Sequence, residues 1–447
     1  MNSEIFLKIA KDTLSNNPMD RMNPMLKKAI LDPNVIMDLH IHSFDKNCLN
    51  VGYVLLRFAK SMIGAAIGLE KFVPQDEIIN NIDKEQVVYD NIISVKDSKT
   101  DNDWEELENY LEELNDAKNL ESIGIFGYDL KQIIKILKKG SIQDVYKYYI
   151  DNFSIKRLDE FKSNPFITGI LMMDLESGWS TMDPKTKLYE QIGIFKAIAS
   201  KNPVVNFLAV DPRRAELPNS KNNLFELFLE AFTGDEKYFG VKCYPSLGYL
   251  PNDNRLDPIF AICSEKNIPI TTHCGAETVS TYEKKFVFQN SDGLNIDFQI
   301  PGDTRKDRAK YLNDPERWFS VLEKYPNLRI NFAHFGGDTN WENNSNFDNK
   351  IIIKIIDLMK KYNYVYTDFS FNVAESQLFN TLEGVLKRET IVKDRLLFGT
   401  DYWVVLPKGN LFENESLFLN QLSGYKTKML RENPKRFLLG DFVNHDI

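Results

Sequence analysis

The chain has 447 residues, of which 43% are hydrophobic, 12% aromatic and 27% charged, a balance that supplies a sizeable core and excludes a disordered chain or a small disulfide scaffold. Acidic residues outnumber basic ones, 64 to 55, for a net charge of −9. The surplus of positive charge that holds a phosphate backbone is missing, so nucleic acid is not an expected partner. At this length the expectation is several domains or one large barrel with insertions.

In chain order, Met1–Lys28 is broken up by Glu4, Lys8, Lys11, Asp12 and Asp20, which leaves no uninterrupted apolar core for a secretory signal. The most apolar stretch after it, Val51–Leu69, contains Arg57 and Lys60 and reads as a buried helix rather than a membrane span. Cys48, Cys243, Cys263 and Cys274 have neither paired spacing nor a CxxC. A reducing, cytoplasmic setting is expected and a cysteine zinc site is not.

Short apolar runs rich in β-branched and aromatic residues predict eight strands: Val35–His42, Phe166–Asp174, Val204–Asp211, Phe239–Tyr244, Ile268–His273, Leu328–His334, Tyr364–Phe369 and Leu396–Asp401. Near-continuous apolar character marks parallel strands covered on both faces. From the second strand on, helical spacing fills the gaps, at Lys185–Ser200, Ser220–Thr233, Pro258–Lys266, Pro315–Lys324, Lys350–Lys361 and Phe379–Arg388. Eight strands alternating with helices predict an α/β fold, a (β/α)8 TIM-type barrel, in preference to an open doubly wound sheet. The segment from Asp45 to Pro165 is too long for a crossover and carries helical patterns at Trp104–Leu120, Leu130–Gly140 and Ser141–Asn152. The expected layout is a helical extension over 1–34, a barrel over 35–44 and 166–447, and a helical cap over 45–165. A second long connection holds the polar stretch Ser280–Asp303, expected to be a lid-like loop.

Only five histidines occur, and four of them fall at or beside predicted strand ends. His40 and His42 lie two apart in Asp38-Leu39-His40-Ile41-His42; residues i and i+2 of a strand share a face, so both imidazoles can aim into the barrel mouth. His273 and His334 end the fifth and sixth runs, and Asp401 ends the eighth. Each alone also reads as a core histidine or a turn-capping carboxylate. In a barrel, strand ends converge on one mouth, which would bring all five together as the beginnings of a divalent metal site.

These residues sit in segments that resemble the metal-dependent amidohydrolase superfamily and, within it, the amidohydrolase-2 branch. The resemblance rests on DLHIH at Asp38–His42, GVKCYPSLGYLPND at Gly240–Asp253, PITTHCG at Pro269–Gly275, INFAHFGG at Ile330–Gly337, LLFGTDY at Leu396–Tyr402 and NPKRFL at Asn433–Leu438. It implies that His40, His42, His273 and Asp401 hold a divalent metal, most often zinc and otherwise manganese. It further implies that His334 is an acid/base beside them or a further ligand, and that Asp401 takes the proton of an attacking water. The Asp45–Pro165 insertion and much of Ser280–Asp303 lie outside the common pattern.

Lys242 lies on the fourth predicted strand with Tyr244 on the same face; it reads as a carbamate bridging two metals, a cation for substrate, or a buried structural ion pair. Arg213 and Arg214 follow the third strand, where a guanidinium could clamp a substrate carboxylate or pair with Asp211. Asp174, Glu176 and Trp179 after the second strand could line the pocket, but capping and packing explain them as readily; Asp368 at the end of the seventh reads as structural, Tyr402 and Trp403 after Asp401 as pocket wall, and His445 as solvated. No phosphate loop, GxSxG or HExxH occurs.

The expected function is a metal-dependent hydrolase that cleaves an amide, lactone or related bond in a small, carboxylated molecule. Two alternatives stay open: a metal-dependent decarboxylase or hydratase of an unsaturated carboxylic acid, and a non-catalytic barrel that binds a partner through its cap. A membrane partner is not expected, and a homo-oligomer is left open.

Overall fold

The structure is a computed structural model that describes residues 1–48, 136 and 139–444, apart from 179–183, 219–220, 276–278, 282, 343, 345 and 407–409. The helical patterns at Trp104–Leu120 and over most of Leu130–Gly140, the apolar run Val51–Leu69, Trp179 and His445 lie outside the described residues.

The described residues form ten strands: β1 Ile36–Ile41, β2 Phe166–Leu171, β3 Val204–Val210, β4 Gly240–Cys243, β5 Ile270–Thr272, β6 Lys285–Gln289, β7 Asn295–Gln299, β8 Ile330–Phe332, β9 Val365–Asp368 and β10 Leu396–Leu397. Eight of them form one parallel sheet in the order β1-β2-β3-β4-β5-β8-β9-β10, and every residue of those eight is buried. The last strand returns to the first: Leu39 N donates to Phe398 O at 3.2 Å and Asp401 N donates to His40 O at 2.8 Å, and Ile41 bridges Tyr402 in parallel. Helices Leu188–Ala199, Leu224–Phe232, Asp257–Glu265, Phe319–Lys324, Lys350–Lys361 and Phe379–Arg388 stand at the expected crossovers. This is a (β/α)8 barrel.

The strands are shorter than their apolar runs, chiefly at the C-terminal ends, because there the backbone leaves the ladder to aim side chains. His334 (φ 61°), Phe335 (φ 44°), Phe371 (φ 66°) and Asp401 (φ 61°) all have left-handed backbone, a conformation that non-glycine residues hold only where surrounding contacts over-determine it. Strand β1 departs from regularity as well. Asp38 pairs with Thr168 but Ile41 with Ile170, so one extra residue bulges from β1 opposite Gly169. A methyl group on Gly169 would lie 2.6 Å from Leu39 O, so the bulge requires glycine there.

Beneath the sheet, Met37, Leu39, Ile167, Val205, Phe207, Tyr366 and Leu397 pack with Phe437 of the helix Asn433–Leu439, in the segment whose sequence reads NPKRFL. The described part of the long insertion includes a short turn at Lys46–Cys48, the helix Ile142–Asn152, N-capped by Ser141, and two short turns that lead into β2. The expected lid-like loop over Ser280–Asp303 holds instead an antiparallel hairpin, β6 with β7, in which Lys285 faces Gln299 and Gln289 faces Asn295. Alternation explains it: Phe286 is buried with Leu250, Ile300 and Leu312, while Val287 and Ile296 face outward. No helix among the described residues is long and apolar enough to cross a membrane, and the four cysteines are free and buried.

Candidate metal centre

The bulge on β1 delivers His40 and His42 to the C-terminal mouth of the barrel, and both are buried. Nε2 of His42 lies 3.2 Å and Nε2 of His40 3.3 Å from the same oxygen, Oδ1 of Asp401. His334 stands across from them, its ring centroid 4.8 Å from that of His40. His40, His334 and Asp401 each offer one ligand atom within 4.8 Å of the others. His273 joins through His334, whose Nε2 faces its Nδ1 at 3.1 Å. The five residues picked out from strand ends are thus brought together at one place.

Their other ring atoms are tied to the frame. Nδ1 of His42 meets the carbonyl of Leu171 at 2.8 Å, and only a protonated Nδ1 can donate to a carbonyl, so the Nε2 lone pair is left toward Asp401. Nδ1 of His40 meets Asp368 Oδ2 at 3.1 Å, and Nδ1 of His334 meets the Ser370 carbonyl at 3.2 Å. Asp368 also accepts from Asn331 Nδ2 at 2.6 Å, from His334 N at 3.0 Å and from the Ser370 hydroxyl. The ring of Tyr244 stacks on His273 at 4.1 Å and 8°.

Burial dominates the electrostatics. It works against the Asp401 carboxylate, but His334, His40 and His42 outweigh it and hold the group ionised, well below the usual carboxylate range. Burial lowers His334 to about 4 and takes His273 well below the ordinary value. His42 is lowered for the same reason. His40 alone is raised, because Asp368 outweighs its burial. The neutral imidazoles of His42, His273 and His334 around an ionised carboxylate suit a divalent metal, and His40 completes the donor set once it gives up its proton. The fit is seen in the polar atoms left over: His40 Nε2 and Asp401 Oδ1 lie close together yet make no hydrogen bond among the described residues, although buried polar atoms are otherwise almost always bonded.

Lys242 sits on β4, buried, with Nζ 5.5 Å from the Tyr244 ring centroid and no hydrogen bond among the described residues. Burial lowers it to about 8, against the pull of Asp368 and Asp401. Arg213 and Arg214 are differently placed. Arg213 forks onto Asp211 and reaches the Leu247 carbonyl; Arg214 forks onto Asp174 and also pairs with Glu176. Both forks are filled by carboxylates of the protein itself, so the arrangement is the internal pairing that the sequence left open beside a substrate clamp. Tyr402 and Trp403 hold the loop after Asp401, donating to the carbonyls of Val145 and Phe44.

Sequence reasoning took Asp368 as structural, and it passed over Asn331, Ser370 and Asp38, the last of which accepts from Thr400 and Tyr149. Asp368 carried a readable signal: it ends its apolar run as the histidines end theirs. Asn331 and Ser370 carried none.

The amidohydrolase family profile matches residues 211–439, which is just over half of the chain. The chain therefore belongs to the amidohydrolase family, in the amidohydrolase-2 branch, and is an enzyme of that superfamily with a small molecule as substrate. A comparison with curated proteins finds no match. Among solved structures, the chain is similar to an uncharacterised TIM-barrel protein from Bordetella bronchiseptica, at 16% identity over 64% of this chain and 82% of that one, with a TM-score of 0.38. It is similar to amidohydrolase 2 from Bifidobacterium longum subsp. infantis at 11%, over 68% and 88%, with a TM-score of 0.37. It is also similar to 4-oxalomesaconate hydratase from Rhodopseudomonas palustris at 11%, over 90% and 95%, with a TM-score of 0.39.

Proposed function

We propose that this enzyme is a metal-dependent hydrolase that cleaves an amide, lactone or related C–N or C–O bond in a small carboxylated molecule. In this reading His40, His42, His273 and Asp401 hold one divalent ion, zinc first and manganese second, with His334 beside them. The observation that carries it is the pair of buried atoms His40 Nε2 and Asp401 Oδ1, without a hydrogen bond among the described residues, beside the neutral imidazoles of His42, His273 and His334. When bound, such an ion supplies Lewis acidity toward a carbonyl and makes a water acidic near neutral pH.

The protein's own groups do the rest. Asp401 accepts the proton of the attacking water. His334, neutral and buried, takes at Nε2 the proton that Asp401 has received and passes it on to the leaving group. Lys242 pairs with a carboxylate of the substrate, and Tyr244 forms a wall of the pocket through its stacking on His273. Arg213 and Arg214 keep the loop after β3 in shape through Asp211 and Asp174.

The test is metal content per chain by elemental mass spectrometry on wild type, His273→Ala and Lys242→Ala, purified without chelator. One zinc or manganese per wild-type chain, lost in His273→Ala and kept in Lys242→Ala, is the expected result. Two ions that fall in Lys242→Ala would mean a carbamate bridge, and no ion after reconstitution would end the metallohydrolase reading. Lys242 also favours a second reaction at the same centre, because an unbonded buried ammonium suits the substrate of a decarboxylase or hydratase of an unsaturated carboxylic acid equally well. Release of carbon dioxide, or of no cleavage product, separates these from hydrolysis.

A further inference from the structure

The insertion between β1 and β2 touches the chain next to three of the proposed ligands. Its helix Ile142–Asn152 lays Tyr149, fully buried, against β1, and the Tyr149 hydroxyl donates to Asp38 Oδ2 at 2.5 Å. Asp38 precedes His40 by two residues. The same carboxylate accepts from His40 N at 3.1 Å, from Thr400 N at 3.2 Å and from Thr400 Oγ1 at 2.7 Å, so it joins the segment that bears His40 to the segment that bears Asp401. Two further bonds come from the helix backbone. Ser43, which follows His42, donates to the Ile142 carbonyl at 2.9 Å, and Tyr402, which follows Asp401, donates to the Val145 carbonyl at 3.2 Å. The rings of Tyr149 and Tyr402 pack at 4.8 Å.

From this geometry we infer that the helix Ile142–Asn152 is a template for the metal centre and that Tyr149 is a positioning residue, acting through Asp38 on His40 and Asp401. The inference rests on the metal reading proposed above. A carboxylate that receives four donors is fixed in direction, and of the four only the Tyr149 hydroxyl comes from outside the barrel strands and their loops. Without it Asp38 keeps its bonds within the barrel but loses the anchor that sets its distance from the insertion. The spacing between His40 Nε2 and Asp401 Oδ1 then loosens. Outer groups of this kind are worth roughly 10- to 100-fold in metal affinity.

The experiment compares the full-length wild type with Tyr149→Phe and with Tyr146→Phe. Tyr146 serves as the control because it lies on the same helix, is buried and donates or accepts with Thr168 of β2 rather than Asp38. The readouts are the dissociation constant for zinc by chelator competition and the visible absorption of the cobalt-loaded protein, which reports ligand geometry rather than overall stability. Tyr149→Phe is expected to bind zinc about 10-fold more weakly with a changed cobalt spectrum, while Tyr146→Phe matches wild type in both. Wild-type affinity and spectrum in Tyr149→Phe, or equal losses in the two variants, would overturn the template role and leave the metal reading intact. A wild type that takes up no ion would overturn both. If Tyr149→Phe does not fold, Thr400→Val removes the other hydroxyl from the same carboxylate oxygen, and unchanged zinc affinity there would equally overturn the inference.

Discussion

Nδ1 of His40 faces Oδ2 of Asp368 at 3.1 Å, with both side chains buried. The carboxylate fixes the imidazole in the tautomer that turns Nε2 toward Asp401, and it raises the basicity of that nitrogen. Asp368→Asn keeps the shape and removes the charge. It is expected to weaken zinc binding by roughly 10- to 100-fold without unfolding the barrel, as read by chelator competition beside circular dichroism. Undiminished affinity would strip Asp368 of this role.

Chelation should destabilise the wild type. A ligand that binds only the folded state at a thousand times its dissociation constant adds about 4 kcal/mol. The melting temperature is expected to fall on dialysis against EDTA and to recover on addition of zinc, but not of sodium. A melting curve indifferent to chelator would contradict a site built on these residues.

Lys242 costs stability as long as it is charged. Its folded pKa of about 8 lies below the ordinary 10.5, so between those values the unfolded chain binds the extra proton and stability rises with pH. Below pH 8 the penalty is at its full size, about 3 kcal/mol. Lys242→Met should therefore melt higher than wild type at pH 7, with an advantage that shrinks as pH climbs toward 10. On any carboxylated substrate it should raise KM more than it lowers kcat. Equal melting at pH 7 would show that the ammonium has a partner in solution.

Glu415 gives the opposite slope. It is wholly buried, its carboxyl oxygens have no hydrogen bond among the described residues, and burial, helped by Asp38, holds its pKa well above the ordinary 4.5. Here the folded state keeps the proton that the unfolded chain releases, so stability is full below that value and falls as pH rises, by up to about 1.4 kcal/mol per unit. Glu415→Gln should melt close to wild type at pH 5 and progressively above it toward pH 8. Parallel melting curves across that range would refute the assignment.

Gly169→Ala tests the bulge. Its new methyl group would press on the Leu39 carbonyl, which is backbone and cannot swing away. A loss of about 1–3 kcal/mol is expected, accompanied by weaker metal binding because the displaced strand carries His40. A neutral alanine would mean that β1 has room to shift.

The barrel was legible because its strands are buried on both faces, so that runs such as Val204–Val210 announce themselves without partners. Four of the five centre residues were legible because each closes such a run, and His40 because it lies two residues before His42 on the same strand. What escaped the sequence has a physical cause in each case. Ser370 and Asn331 act through hydrogen bonds from short polar side chains that look the same in any loop. The hairpin Lys285–Gln299 buries Phe286 against a satellite core, and its polar alternate positions disguise it as a loop. Tyr149 is one tyrosine among three in Tyr146–Tyr149, and only its reach to Asp38 separates it from its neighbours. For Arg213 and Arg214 a clamp and an internal pair both stayed open in the sequence, because the carboxylate that fills one of the two forks, Asp174, lies about 40 residues away.

The hydrogen bonds that tie Leu39 to Phe398 and Asp401 to His40 join the first strand of the barrel to its last. During synthesis at the ribosome, a nascent chain holds His40, His42, His273 and His334 long before Asp401 emerges. Until then, the first strand has its second-strand neighbour on one side and no eighth barrel strand on the other. A chain cut short between His334 and Asp401 would carry every histidine of the centre and still be unable to close the ring that gathers them.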